Sequence, residues 1–126
     1  MRILVVEDHP LNLEIADRML RESGFTVVRA INGEEAVRIY KDSETDFDII
    51  LMDIRMPVMD GLEATRRIRN MHRHDSRDIP IIAMTAAAFE NDIRQSFAAG
   101  MNDHLAKPIN PRKLYATIEK FVGMKK

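Results

Sequence analysis

Glu7 and Asp8 follow the apolar run Ile3-Leu4-Val5-Val6 without a gap, and Asp53 stands directly after Ile49-Ile50-Leu51-Met52. Thr85 and Lys107 likewise follow apolar stretches that end at Met84 and Ala106. Three acids, a hydroxyl and an ammonium thus occupy the same kind of position. Two carboxylates about 5 Å apart repel by roughly 3 kcal/mol at an effective dielectric of about 20. Three together must either take up protons or recruit a cation. An oxygen donor set suits a hard divalent ion, magnesium first, with manganese as the alternative. Around such an ion the set fits phosphoryl transfer. A carboxylate oxygen can attack phosphorus and carry the group as an aspartyl phosphate. The transition state spreads its charge over three equatorial oxygens. The metal would take one oxygen, the Lys107 ammonium another, and the Thr85 hydroxyl with nearby backbone amides, that of Ala86 among them, the third. The small side chains of Ala86 and Ala87 would leave the approach open.

These residues can meet only if their apolar runs lie side by side. Residues 3–6, 26–30, 48–52 and 79–84 read as strands buried on both faces, and 104–106 as a weaker fifth. Residues 10–23 carry Leu13, Ala16, Met19 and Leu20 at helical spacing, with Gly24 as the stop. A second helix over 34–41 presents Ala36, Val37 and Tyr40, and a third over 62–71 presents Leu62, Thr65 and Ile68. A fourth, over 90–99, presents Ile93, Phe97 and Ala98. The last opens on Asn110-Pro111, a capping residue before a first-turn proline, and shows Leu114, Ile118, Phe121 and Val122. Five βα units in succession predict an α/β fold: a parallel sheet with helices on both faces. In such sheets ligands bind beyond the carboxyl ends of the strands. That is where the polar residues stand. Residues 71–78 are the most polar stretch and are expected to form a mobile connection.

The 126 residues suffice for one core, so residues 1–126 are read as one domain. A net charge of −1 gives no electrostatic reason to expect nucleic acid or an acidic membrane surface as a partner. The basic row Arg66, Arg67, Arg69 and Arg73 reads as one solvated helix face. Cysteine is absent, which excludes disulfides and thiolate metal sites and suits a reducing compartment. No apolar run approaches the roughly 20 residues needed to span a bilayer. The expected location is the cytoplasm.

With these residues in place, the chain resembles the response-regulator receiver family of two-component signalling from Ile3 to Val122. The matching motifs are Val6-Glu7-Asp8, Met52-Asp53 through Asp60-Gly61, Met84-Thr85-Ala86 and Lys107-Pro108. The resemblance implies the flavodoxin-like receiver fold, a five-stranded parallel sheet in order 2-1-3-4-5. It implies that Asp53 is the phosphorylated residue, that Asp8, Asp53 and the backbone carbonyl of Arg55 bind magnesium, and that Glu7 assists through water. Thr85 and Lys107 would bind the phosphoryl group. A cis peptide before Pro108 would aim Lys107 at it. His104 stands where the family usually carries a tyrosine or phenylalanine that turns inward on phosphorylation. A switch role and that of a half-buried histidine satisfied by a backbone carbonyl both stay open for it. Arg55 lies where the family tunes the phosphoryl lifetime.

The remaining singled-out residues have plainer readings. Gly61 fits a tight turn or close packing better than a phosphate cradle, and the methionines fit core packing. His9 reads as a loop residue beside the acids, and His9, His72 and His74 do not form a metal cluster by spacing. A magnesium phosphohydrolase with an aspartate nucleophile is the enzymatic alternative. That class usually carries a second aspartate two residues on, where this chain has Arg55. A docking-only receiver fold would lack the acids or the lysine. A flavin-binding flavodoxin would need a Ser/Thr-rich loop after the first strand. Residues 52–65 and 99–109 look like receivers attached to hybrid sensor kinases, and the chain begins abruptly at its first strand. A domain excised from a hybrid histidine kinase is therefore expected, with a stand-alone regulator as the runner-up. The expected partner is a histidine kinase or a histidine phosphotransfer domain. The last helix-strand-helix face offers a surface for a homodimer.

Overall fold

The computed structural model describes residues 1–86 and 90–122. Ala87, named above beside Ala86, lies outside the described residues. Five strands, β1 (Arg2–Val6), β2 (Thr26–Ala30), β3 (Ile49–Asp53), β4 (Ile81–Thr85) and β5 (Asp103–Ala106), alternate with α1 (Pro10–Glu22), α2 (Gly33–Asp42), α3 (Gly61–Arg69), α4 (Glu90–Ala99) and α5 (Pro111–Val122). Every pairing is parallel, and the order is β2-β1-β3-β4-β5. The sheet order and its helices are those expected.

Strand periodicity splits the apolar residues into two cores. Leu4, Val6, Ile50, Met52, Ile81 and Ala83 point to one face, against Ala36 and Tyr40 of α2 and Ala64 and Ile68 of α3. Ile3, Val5, Leu51, Ile82, Met84 and Leu105 point to the other, against Leu13, Ala16 and Leu20 of α1 and Leu114, Ile118 and Val122 of α5. Burying an aliphatic side chain of this size contributes about 2 kcal/mol each. A strand with no polar side thus becomes the sheet's most firmly held element, and β3 and β4 are buried throughout. Both end at the site. Helix ends follow local chemistry: Asn32 and Asp60 accept the amides of Glu35 and Glu63 at 2.8 and 2.9 Å. Gly24 leaves α1 at φ +89°. No described helix is long and apolar enough to cross a membrane.

Four expectations need correction. β3 and β4 each start later and end later than expected, because Pro80 has no amide to give the ladder and Asp53 and Thr85 continue it. α4 turns Ser96 and Ala99 inward and leaves Phe97 49% exposed. Two small residues at i, i+3 let α4 lie close to its neighbours, and the Ser96 hydroxyl is satisfied by donating to Ile93 O at 2.7 Å. The solvated basic face holds for Arg66 and Arg67 alone, which pair with Glu63. Arg69 instead donates to Gly100 O, Ser76 O and Asn102 Oδ1 at 2.9, 3.1 and 2.8 Å. Arg73 reaches Ser43 O at 2.8 Å and lies over the Tyr40 ring. The connection over 71–78 is accordingly anchored, with Ser76 buried and Asp75 accepting the Tyr40 hydroxyl.

Gly61 is a close-packing residue, as expected. A Cβ there would sit 2.0 Å from Asp53 O and 2.9 Å from Met52 Cγ. Backbone cannot move aside as a side-chain tip can. Gly61→Ala should therefore cost about 2 kcal/mol by overpacking and shift the Asp53 backbone. Urea unfolding, with the Asp53 amide resonance as the local probe, checks both effects.

Candidate functional site

The carboxyl ends of β1, β3, β4 and β5 deliver the polar residues to one rim. Glu7 follows β1 and extends its ladder by donating its amide to Ala30 O at 3.0 Å. This turns its side chain inward, and it is only 2% exposed. Asp8, one residue on, is exposed. Asp53 closes β3 at 5% exposure and Thr85 closes β4 at 6%. The carbonyl of Thr85 accepts the amide of Lys107 at 2.8 Å, which fixes the lysine beside it, and Lys107-Pro108 is a cis peptide.

Lys107 Nζ lies 2.5 Å from Glu7 Oε1 and 3.1 Å from Asp53 Oδ2. One oxygen each from Glu7, Asp8 and Asp53 falls within 4.8 Å of the others. Among the described residues, one ammonium therefore serves two of the three carboxylates. Burial raises the Asp53 carboxyl, the adjacent Glu7 raises it further, and Lys107 offsets this only in part, leaving it at about 7. Burial also pushes Glu7 up, but its contacts with Asp53 and Lys107 outweigh this and bring it below the usual value. Burial would lower the Lys107 ammonium, yet the two acids carry it above its ordinary value. Below neutrality the pair Glu7–Asp53 thus holds about one proton.

A small hard cation fits this arrangement on the chain's own terms. The donors are carboxylate oxygens, and Glu7 Oε2 is buried without a hydrogen-bond partner among the described residues. An orphaned buried carboxylate oxygen costs free energy that a cation would recover. Asp8, His9, Asn12, Asp53, Ile54, Arg55, Thr85, Ala86 and Lys107 line the cleft. All the residues expected at the rim are there, with Glu7 directly behind Lys107. Asn12 was not anticipated. Its only signal in the sequence is a polar residue in the first turn of the helix that follows the acids.

His104 lies apart from that cleft, on β5 with Ala83 as its cross-strand neighbour. Its Nδ1 is buried with no hydrogen-bond partner among the described residues and stands 3.6 Å from Asp103 Oδ1. The backbone carbonyl expected to satisfy it is not in reach of that atom. At the opposite edge of the sheet, His74 joins Asp46 and Asp75 within 4.8 Å, a grouping the sequence spacing did not show. Arg73 already bridges both acids, so their charge is met from within the chain.

The pattern of the response regulator receiver domain matches residues 3–119. The hybrid signal transduction histidine kinase I of Dictyostelium discoideum is 39% identical over 120 residues, covering 93% of this chain. The chain spans 7% of that kinase's length. Among solved structures, the receiver domain of sensor histidine kinase PA1611 from Pseudomonas aeruginosa PAO1 superposes with a TM-score of 0.87 at 42% identity, over 97% of both chains. That structure holds a magnesium ion in its active-site cleft. A chain from the Saccharomyces cerevisiae co-crystal of the histidine phosphotransfer protein Ypd1 with the receiver domain of Ssk1 gives a TM-score of 0.88 at 32% identity. It covers 99% of this chain and 90% of that one. Strand order, the acids at the rim and the match along nearly the whole sequence agree, and the chain belongs to the response regulator receiver domain family of two-component signalling.

Proposed function

We propose that this domain takes a phosphoryl group from a phosphohistidine onto Asp53 with magnesium as cofactor, and that the phosphorylated form signals to a partner. The observation that carries this is the shortage of positive charge: three carboxylates crowd together, one ammonium among the described residues contacts two of them, and Asp53 is held at about 7. A carboxylate that must be charged to act as nucleophile is thereby made dependent on a cation. Glu7, Asp8, Asp53 and the backbone carbonyl of Arg55 are the residues that would hold magnesium. When bound, the ion neutralises the acids and shares the charge of the phosphoryl oxygens.

The rest is done by this chain's own groups. An Asp53 oxygen attacks phosphorus, the P–O bond forms as the P–N bond of phosphohistidine breaks, and the electron pair returns to the imidazole. The Lys107 ammonium, now on Glu7 and Asp53, moves to a phosphoryl oxygen. The Thr85 hydroxyl and the Ala86 amide take another. Release of the group consumes one water, so the chain acts on itself and not on a pool of substrate. The rim beside the cleft carries Leu11 and Ile15 at 62% and 44% exposure, an apolar surface for the donor protein. The Ssk1 receiver crystallised with a phosphotransfer protein supports a histidine phosphotransfer domain or a histidine kinase as that donor. The likeness to a hybrid kinase supports a receiver segment of such a kinase as the context, with a stand-alone regulator as the alternative. We place the domain in the cytoplasm, where kinases have ATP to draw on.

Acetyl phosphate with magnesium should add one phosphoryl group to the protein, and Asp53→Ala should abolish the gain. Intact mass measures it, and full labelling of the alanine variant would refute the site. A pH dependence follows with its sign. The Asp53 carboxyl is raised from 3.8 to about 7, so between those values the native state holds a proton that the unfolded chain releases. Without metal, stability should therefore fall as pH rises through that window and level off above it. The lowered Glu7 contributes in the opposite sense, only below its ordinary 4.5. Urea midpoints measured from pH 5 to 8 should decline in the metal-free protein, decline less with magnesium, and lose the slope in Asp53→Asn.

A further inference from the structure

Arg55 stands at the border of two clefts. It lines the one that holds Asp8, Asp53 and Thr85, and also the neighbouring one that holds Asp92 and Gln95 of α4. Its backbone is held at that border: Ile54 N donates to Met84 O at 3.2 Å, and Ile54 O accepts the amide of Gly61 at 2.8 Å. The side chain is not so held. It is 78% exposed, and its guanidinium lies 3.7 Å from Asp92 Oδ1, an ion pair beyond direct hydrogen-bond reach. Asp92 is 18% exposed and sits in the first turn of α4.

We propose that Asp92 is a positioning residue for Arg55, and that the guanidinium passes from Asp92 to the phosphoryl group when Asp53 is phosphorylated. The inference rests on the reading of Asp53 as the phosphoacceptor. The energies favour the exchange. An exposed ion pair with imperfect geometry is worth about 0.2–1 kcal/mol. A phosphoryl dianion offers two oxygens in the spacing that a guanidinium fork matches, in shorter and stronger charge-assisted contacts. Asp92 loses little when Arg55 leaves, because the amino-terminal turn of α4 still favours its charge. The same exchange gives α4 a report of the site: phosphorylation removes a cation from its first turn. By linkage, Asp92 must also oppose phosphorylation to the extent that it holds Arg55.

Beryllofluoride with magnesium is the phosphoryl probe, and its affinity is measured by calorimetry on the wild type, Asp92→Asn, Arg55→Ala and the double variant. Freeing Arg55 from its competitor should tighten binding about 1.4- to 5-fold in Asp92→Asn, the range that the ion-pair energy converts to. The double variant should match Arg55→Ala, because Asp92 acts only through Arg55. An Asp92→Asn affinity equal to wild type overturns the proposal. So does equal tightening in the Arg55→Ala background, which would mean that Asp92 acts through its own charge. In the unsubstituted protein, the Arg55 Nε–H resonance should move and exchange more slowly once the probe is added; an unmoved resonance also overturns it. Failure of the wild type to bind the probe at all would instead overturn the phosphoacceptor reading beneath it.

Discussion

Everything at this sheet edge depends on the crowding of Glu7, Asp8 and Asp53, two of which share the Lys107 ammonium. Crowded carboxylates repel one another, and the two buried ones, Glu7 and Asp53, are also costly to ionise. A chain that brings three together needs a rigid frame, and β1 and β3, apolar on both sides, supply it. Gly61 completes that frame, because only a residue without a Cβ lets the start of α3 approach the Asp53 carbonyl. The Thr85 carbonyl then fixes Lys107 through its amide. Core and site are therefore one construction: the packing that stabilises the fold pays for the charge strain at its edge.

The sequence showed the strands and the rim because both follow from short-range patterns. A run without a polar side specifies a strand buried on both faces, and the next polar residue specifies its end. Asp53 and Thr85 turned out to be last strand residues instead of first loop residues, which leaves their side chains at the same rim. What escaped depended on long-range partners. The hydrophobic side of α4 suggested Phe97 inward, yet close approach favoured Ser96 and Ala99. Arg69 and Arg73 looked like surface charge, but their carbonyl acceptors come from distant segments, Gly100 and Ser43 among them. Asp17 was missed for the same reason: it is buried in α1 because Arg21 and Arg29 meet it there.

Family membership and chemical detail rest on different grounds. The match over residues 3–119 makes the chain a receiver domain. What the site would do with a phosphoryl group, on the function proposed, turns on the cations beside Asp53 and their present contacts. Lys107 starts on two acids and Arg55 starts on Asp92, so each has a contact to exchange. His104 stands outside the cleft, and among the described residues no hydrogen bond locks its ring through the buried Nδ1.

Burial and the neighbouring Glu7 hold a proton on Asp53 in the metal-free domain, in the place that a magnesium ion would take. Calorimetric titration with magnesium, run in buffers of different ionisation enthalpy, counts the protons released on binding. At pH 6 close to one proton should be released per ion, because Asp53 is then largely protonated, falling toward zero by about pH 9. Magnesium binding at pH 6 with no proton released would contradict it.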